Sequence, residues 1–111
     1  MKINRSDSAQ FYSAPGHEGV ESKNLHAPTD FENAAVALNC STFAPGGKLD
    51  RTAPPPEMIY YVLDGEMTLI TDEGENVLHG GDSVHFAPGE ARSVENRSGA
   101  PFTMLIVARV S

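Results

Sequence analysis

The chain has 111 residues, 40% of them hydrophobic and 21% charged, with a net charge of −7 at pH 7. That length suits one domain with a real core and is too short for two. The acidic balance argues against nucleic acid and anionic membranes as partners, because either needs a basic face. The single cysteine, Cys40, excludes an intramolecular disulfide and is compatible with a reducing compartment. No run of about 18 apolar residues offers a membrane-spanning helix, and Met1 to Asp7 lacks the apolar core of a secretory signal, so a cytoplasmic location is expected.

Residues 1–33 are polar and irregular, with Pro15-Gly16 and Pro28 as turn signals, and form an arm belonging to the same domain as the barrel expected over 34–111. Short strands are expected near Gln10–Tyr12 and Val20–Leu25. From residue 35 onward, strands alternate with turns every eight to twelve residues, the pattern of a sandwich or barrel. In Val36 to Thr42 the even positions carry the larger apolar or branched side chains, so Val36, Leu38, Cys40 and Thr42 are expected to point inward. Pro45-Gly46-Gly47 should then stop that strand. Further strands are expected at Met58–Leu63, Glu66–Thr71, Glu75–Leu78, Ser83–Phe86, Ala91–Glu95 and Phe102–Val110. Asp64-Gly65, Asp72-Glu73-Gly74 and Pro88-Gly89 supply the turns between them. No segment sustains a 3.6-residue period, so the fold class is all-β.

Two spacings narrow this further. Gly46 is followed by Thr52, Pro54, Met58 and Gly65, and Gly81 by Ala87-Pro88-Gly89, Arg92 and Asn96. Together these resemble the paired signature of the cupin superfamily, which implies a double-stranded β-helix, or jelly-roll, barrel. In that family the first motif carries His-x-His and a glutamate and the second a further histidine, and these four residues hold a metal. Here the corresponding places fall on Thr52, Pro54, Met58 and Arg92. Threonine, proline and arginine are not donors for a divalent ion, and a thioether suits only soft metals. Neither a metal nor another cofactor is therefore expected. Glu57 cannot step in, because a one-residue shift turns it to the opposite face of its strand. Of the four histidines, His85 is expected on an outer face or subunit interface and His79 at the solvated surface, while His17 and His26 receive no role.

The expected pocket comprises Arg92, Met58, Tyr60, Thr52, Pro54, Cys40 and Leu38. Arg92 needs a counter-charge, either a nearby glutamate such as Glu90 or Glu57, solvent, or a bound anion. Such a pocket suits a small organic acid or a hydroxylated aromatic. Three functions follow in order. The first is metal-free binding of a small organic ligand, anionic ones included. The second is a metal-independent isomerase, epimerase or lyase using Tyr60 as acid–base group and Arg92 as oxyanion stabiliser. The third is a metal-dependent dioxygenase with ligands outside the motif. The resemblance also implies a homodimer, for which Phe102 to Val107 and the N-terminal arm are the candidate contacts.

Overall fold

The computed structural model describes residues 1–111 and consists of nine strands and one short 3-10 turn, Ser6–Ser8. The strands are β1 (Phe11–Tyr12), β2 (His17–His26), β3 (Val36–Thr52), β4 (Met58–Asp64), β5 (Glu66–Thr71), β6 (Gly74–His79), β7 (Ser83–Phe86), β8 (Arg92–Glu95) and β9 (Phe102–Arg109). All pairings are antiparallel, in the order β6-β5-β8-β3-β9-β4-β7, with β2 beside β3 and β1 beside β2. The all-β barrel expected from the turn spacing is the observed architecture. No helix is long and apolar enough to cross a membrane.

Strand β3 departs from the expectation that Pro45-Gly46-Gly47 would end it. Its first half pairs with β9 from Val36↔Arg109 to Phe43↔Phe102, and its second half pairs with β8 from Lys48↔Glu95 to Thr52↔Arg92. The Pro-Gly-Gly segment is the corner between these two ladders. Gly46 takes φ +80°, a conformation that disfavours any side chain, and a Cβ on Gly47 would lie only 2.6 Å from the Gly19 carbonyl oxygen. Asn96 fastens the corner: its carbonyl accepts from Gly46 N–H and its N–H donates to the Gly47 carbonyl, both at 2.9 Å. Glycine thus permits a bend, and backbone bonds from the loop after β8 make that bend part of the sheet.

The facing of β3 is also the reverse of the expectation. Ala37, Ser41 and Phe43 are buried and Asn39 lines an interior cavity, whereas Val36 is 60% exposed and Leu38, Cys40 and Thr42 line an outer groove. Strand β4 does face as its pattern suggests, with Tyr60 and Val62 buried and Ile59, Tyr61 and Leu63 outside. The core gathers Phe43, Leu49, Val62, Met67, Leu69, Leu78, Phe86, Val94, Phe102 and Met104, with Phe43 stacked on Phe102 at 4.5 Å. At the β4–β5 turn, Gly65 has φ +89°, and a Cβ there would come within 2.6 Å of Phe102 Cβ. Asn96, 2% exposed, closes this end by donating from Nδ2 to the carbonyls of Phe43 (3.0 Å) and Ala100 (2.8 Å) while Oδ1 accepts from Ser98.

A candidate binding pocket around a buried arginine

Four neighbouring strands place the side chains at the other end of the barrel. Thr52 of β3 pairs with Arg92 of β8, Met58 of β4 pairs with Phe86 of β7, and Tyr60 pairs with Val84. Alternation then points Met58 and Tyr60 to the same side as Arg92. The guanidinium is wholly buried. Its Nε donates to Tyr60 Oη at 3.1 Å and Nη1 to the Glu90 carbonyl at 2.9 Å. Nη2 donates to Tyr60 Oη at 3.0 Å and to Met58 Sδ at 2.9 Å. Of the five N–H groups of arginine, only one on Nη1 is left over. The guanidinium carbon also lies 4.2 Å from the Phe86 ring centroid and 5.2 Å from that of Tyr60, and the two rings meet edge-on at 4.9 Å.

No carboxylate neutralises this cation. Glu90 offers its backbone carbonyl and turns its carboxylate to Ala87 N–H at 2.9 Å, and Glu57 lies outside the barrel, accepting from His85 Nε2 at 2.6 Å. The salt bridges to Glu90 or Glu57 weighed from sequence are therefore not formed. A buried charge held only by a phenol, a carbonyl, a thioether and two ring faces is costly in an apolar core, although the ring faces and oriented dipoles recover part of that cost.

Beside this group opens a cavity of about 190 Å³ lined by Tyr12, Pro15, His17, Asn39, Ser41, Leu49, Thr52, Pro54, Met58, Tyr60, Met104 and Ile106. Of the expected pocket residues, Thr52, Pro54, Met58 and Tyr60 line it directly, and Arg92 stands behind Met58 and Tyr60. Leu38 and Cys40 do not belong to it. They face the outer groove, because β3 turns its odd positions inward. Burial pushes the Cys40 thiol above its ordinary pKa, against a smaller opposing pull from Lys23, which leaves it a poor nucleophile.

Sequence reasoning missed one wall entirely. Strand β2 runs antiparallel to β3, setting His17 opposite Leu49 and Ser22 opposite Ser41, while Tyr12 of β1 lies opposite Ser22. The Ser22 and Ser41 hydroxyls bond at 2.8 Å, and burial raises the Tyr12 phenol above its usual pKa despite a hydrogen bond to Ser22. The Pro15-Gly16 turn was the signal available for this hairpin, but nothing in the residues revealed which strand it would join. Asn39 was missed for the same reason as the reversed facing. Its Oδ1 is buried and has no hydrogen-bond partner.

The barrel fold and the paired glycine-proline spacings define a small jelly-roll domain whose pocket opens at one end. Residues 40–108 match the family model described as a cupin domain, and the chain belongs to that family. It is 35% identical over 106 residues to a protein named β-D-galactosidase from Mycobacterium tuberculosis, covering 96% of this chain and 91% of that one. Among solved structures, the polyketide cyclase RemF from Streptomyces resistomycificus superposes with a TM-score of 0.87 at 22% identity, over 100% of this chain and 80% of its own. A predicted oxalate decarboxylase from Thermotoga maritima gives a TM-score of 0.82 at 24% identity, over 100% of both chains.

The metal-binding tradition of the family does not fit these residues. The four places hold Thr52, Pro54, Met58 and a permanently charged arginine, which repels a cation, and nowhere do three or more His, Cys, Asp or Glu side chains converge.

Proposed function

We propose that this barrel binds a small organic ligand carrying a carbonyl or carboxylate oxygen, with Arg92 supplying from within the protein the positive charge that a metal supplies elsewhere. One observation carries this reading: a fully buried guanidinium without a carboxylate directs two N–H groups onto Tyr60 Oη at the cavity wall. With its lone pairs engaged by Arg92, the Tyr60 hydroxyl has its hydrogen free to donate into the cavity. A ligand acceptor there completes the hydrogen bond and lies within the field of the cation. On the β3 wall, the unpartnered Asn39 Oδ1 calls for a donor, which a ligand hydroxyl supplies. Met58, Met104, Ile106, Leu49 and Pro54 provide the apolar surroundings. Arg92 acts through Tyr60, since its guanidinium does not itself line the cavity.

A metal-independent isomerase or lyase is the second reading, favoured by the same free phenolic hydrogen. The relative's name, β-D-galactosidase, suggests glycoside hydrolysis, which ordinarily uses a pair of carboxylates flanking the scissile bond. No aspartate or glutamate lines this cavity, so that route is not favoured here. Outside the barrel, Val36, Ile59, Tyr61, Leu63 and Val107 leave apolar surface exposed on one continuous sheet face, which supports a homodimer in which a second copy covers it. The unpaired Cys40 suits a cytoplasmic setting.

The test is ligand binding by thermal shift and NMR with benzoate, phenylpyruvate and phenylacetone, alongside elemental analysis of the purified protein. Wild type should be stabilised by at least one compound, and Arg92→Met should bind it at least about tenfold more weakly. Equal affinity in Arg92→Met would remove the cation from the site. Stoichiometric iron, zinc or manganese would overturn the metal-free reading.

A further inference from the structure

His17 makes the pocket more than a binding cleft. It stands at the start of β2, opposite Leu49, and lines the same cavity as Tyr60. Its Nδ1 lies 3.1 Å from the Pro15 carbonyl oxygen, which can only accept. Nδ1 therefore carries the hydrogen, and in the neutral ring Nε2 keeps its lone pair with no protein partner. The Pro15-Gly16 turn, in which Gly16 takes φ +78°, sets this imidazole on the wall contributed by the N-terminal segment. Tyr60 comes from β4. The cavity thus holds a proton acceptor on one element and a proton donor, backed by a cation, on another.

We infer that His17 Nε2 and Tyr60 Oη form an acid–base pair that enolises a carbonyl compound with an α-hydrogen and a largely apolar body. The inference rests on the binding mode proposed above and adds a base to it. The substrate carbonyl oxygen accepts the Tyr60 hydrogen bond while its α C–H faces His17. His17 Nε2 takes the α-proton, the C–H electron pair becomes the new C=C bond, and the carbonyl π pair moves onto oxygen. That oxygen takes the Tyr60 hydrogen, and the charge left on Oη is met by Arg92 Nε–H and Nη2–H. Protonation of the enol α-carbon by water on the opposite face, with His17 passing its own proton to solvent and the enol hydroxyl returning its hydrogen to Tyr60, gives the epimer. The cycle balances with no metal, oxidant or co-reactant. Thr52 and Asn39 line the same space and can hold a second oxygen of the substrate.

The experiment follows α-hydrogen exchange by proton NMR in D2O for phenylacetone, phenylpyruvate and dihydroxyacetone, with binding of each read by thermal shift. Wild type should accelerate exchange of at least one probe about a hundredfold over buffer. His17→Gln and Tyr60→Phe should each fall to within about tenfold of buffer while the His17→Gln protein still binds. His79→Gln, on the outer surface beside Glu66, should match wild type. If probes bind but none exchanges above buffer, or if His17→Gln exchanges as fast as wild type, the acid–base pair is overturned and the binding reading stands. If no probe binds wild type and none exchanges, both fall together.

Discussion

Strand β8 begins with one arginine and is followed by another, and the two meet opposite fates. Arg97, just past its end, is exposed and lies between two carboxylates, with Nε 2.6 Å from Glu95 and Nη1 2.8 Å from Glu75. These bonds stabilise its protonated form and hold Glu75 below the usual carboxylate range. Arg92, at the start of the strand, is fully buried and has no carboxylate at all. The arginine that could be left to solvent is paired, and the one that most needs pairing is not. An exposed ion pair adds little to stability whereas a buried charge is costly without a partner, so the missing carboxylate at Arg92 is the feature that the proposed binding mode accounts for.

The largest effect is expected at Arg92. Truncation in Arg92→Ala leaves a void and an unsupported Tyr60, and should cost about 3 kcal/mol in urea unfolding. Arg92→Met removes the buried charge while filling much of the space, and should be neutral or stabilising by up to about 2 kcal/mol while ligand binding is lost. If Arg92→Met unfolds as readily as Arg92→Ala, the guanidinium is a structural element and the contrast with Arg97 fails.

Asn96 stands at the closed end of the barrel, away from Arg92. Its side chain satisfies two carbonyls and the Ser98 turn from a buried position, so Asn96→Ala should cost about 2–3 kcal/mol. Ligand affinity should remain at the wild-type level once the protein is folded. A matching loss of affinity would show that the two ends are not separable.

The smallest effect belongs to Arg97. Arg97→Ala should shift the thermal midpoint slightly, and the shift should vanish in high salt. Its pH signature has a definite sign. Glu75 and, beside Arg51, Asp72 have folded pKa values below their ordinary 4.5 and 3.8, so their contribution is present above those ordinary values. It is lost as pH falls through the lowered folded values. Melts of wild type between pH 5 and pH 2 should show this acid loss, and Arg97→Ala should show less of it. An unchanged slope would dissociate the Arg97 pairs from stability.

Much of the scaffold was legible from its turns. Asp64-Gly65, Gly74 and Pro88-Gly89 end strands whatever the interior holds, and the spacing of Thr52, Met58 and Arg92 is enough to bring them together. The facing of β3 was not legible because both faces of that sheet are partly apolar. Leu38 and Cys40 outside are more hydrophobic than Asn39 and Ser41 inside, so alternation found the period and inverted its phase. Pro45-Gly46-Gly47 was read as a stop because local chemistry cannot distinguish an ending from a bend that Asn96, some fifty residues later, holds in register. His17 was hidden for a similar reason, as its place depends on pairing with Leu49.

The bent strand β3 also has a kinetic consequence. Its first half finds its barrel partner only in β9, residues 102–109, and its second half only in β8, residues 92–95. During synthesis most of the chain must emerge before either ladder can close, and only the β2 hairpin can shield β3 in the meantime. Folding of this protein is therefore governed by late, long-range pairing, and an interrupted chain lacking β9 leaves residues 36–43 of β3 with an open edge to its neighbours.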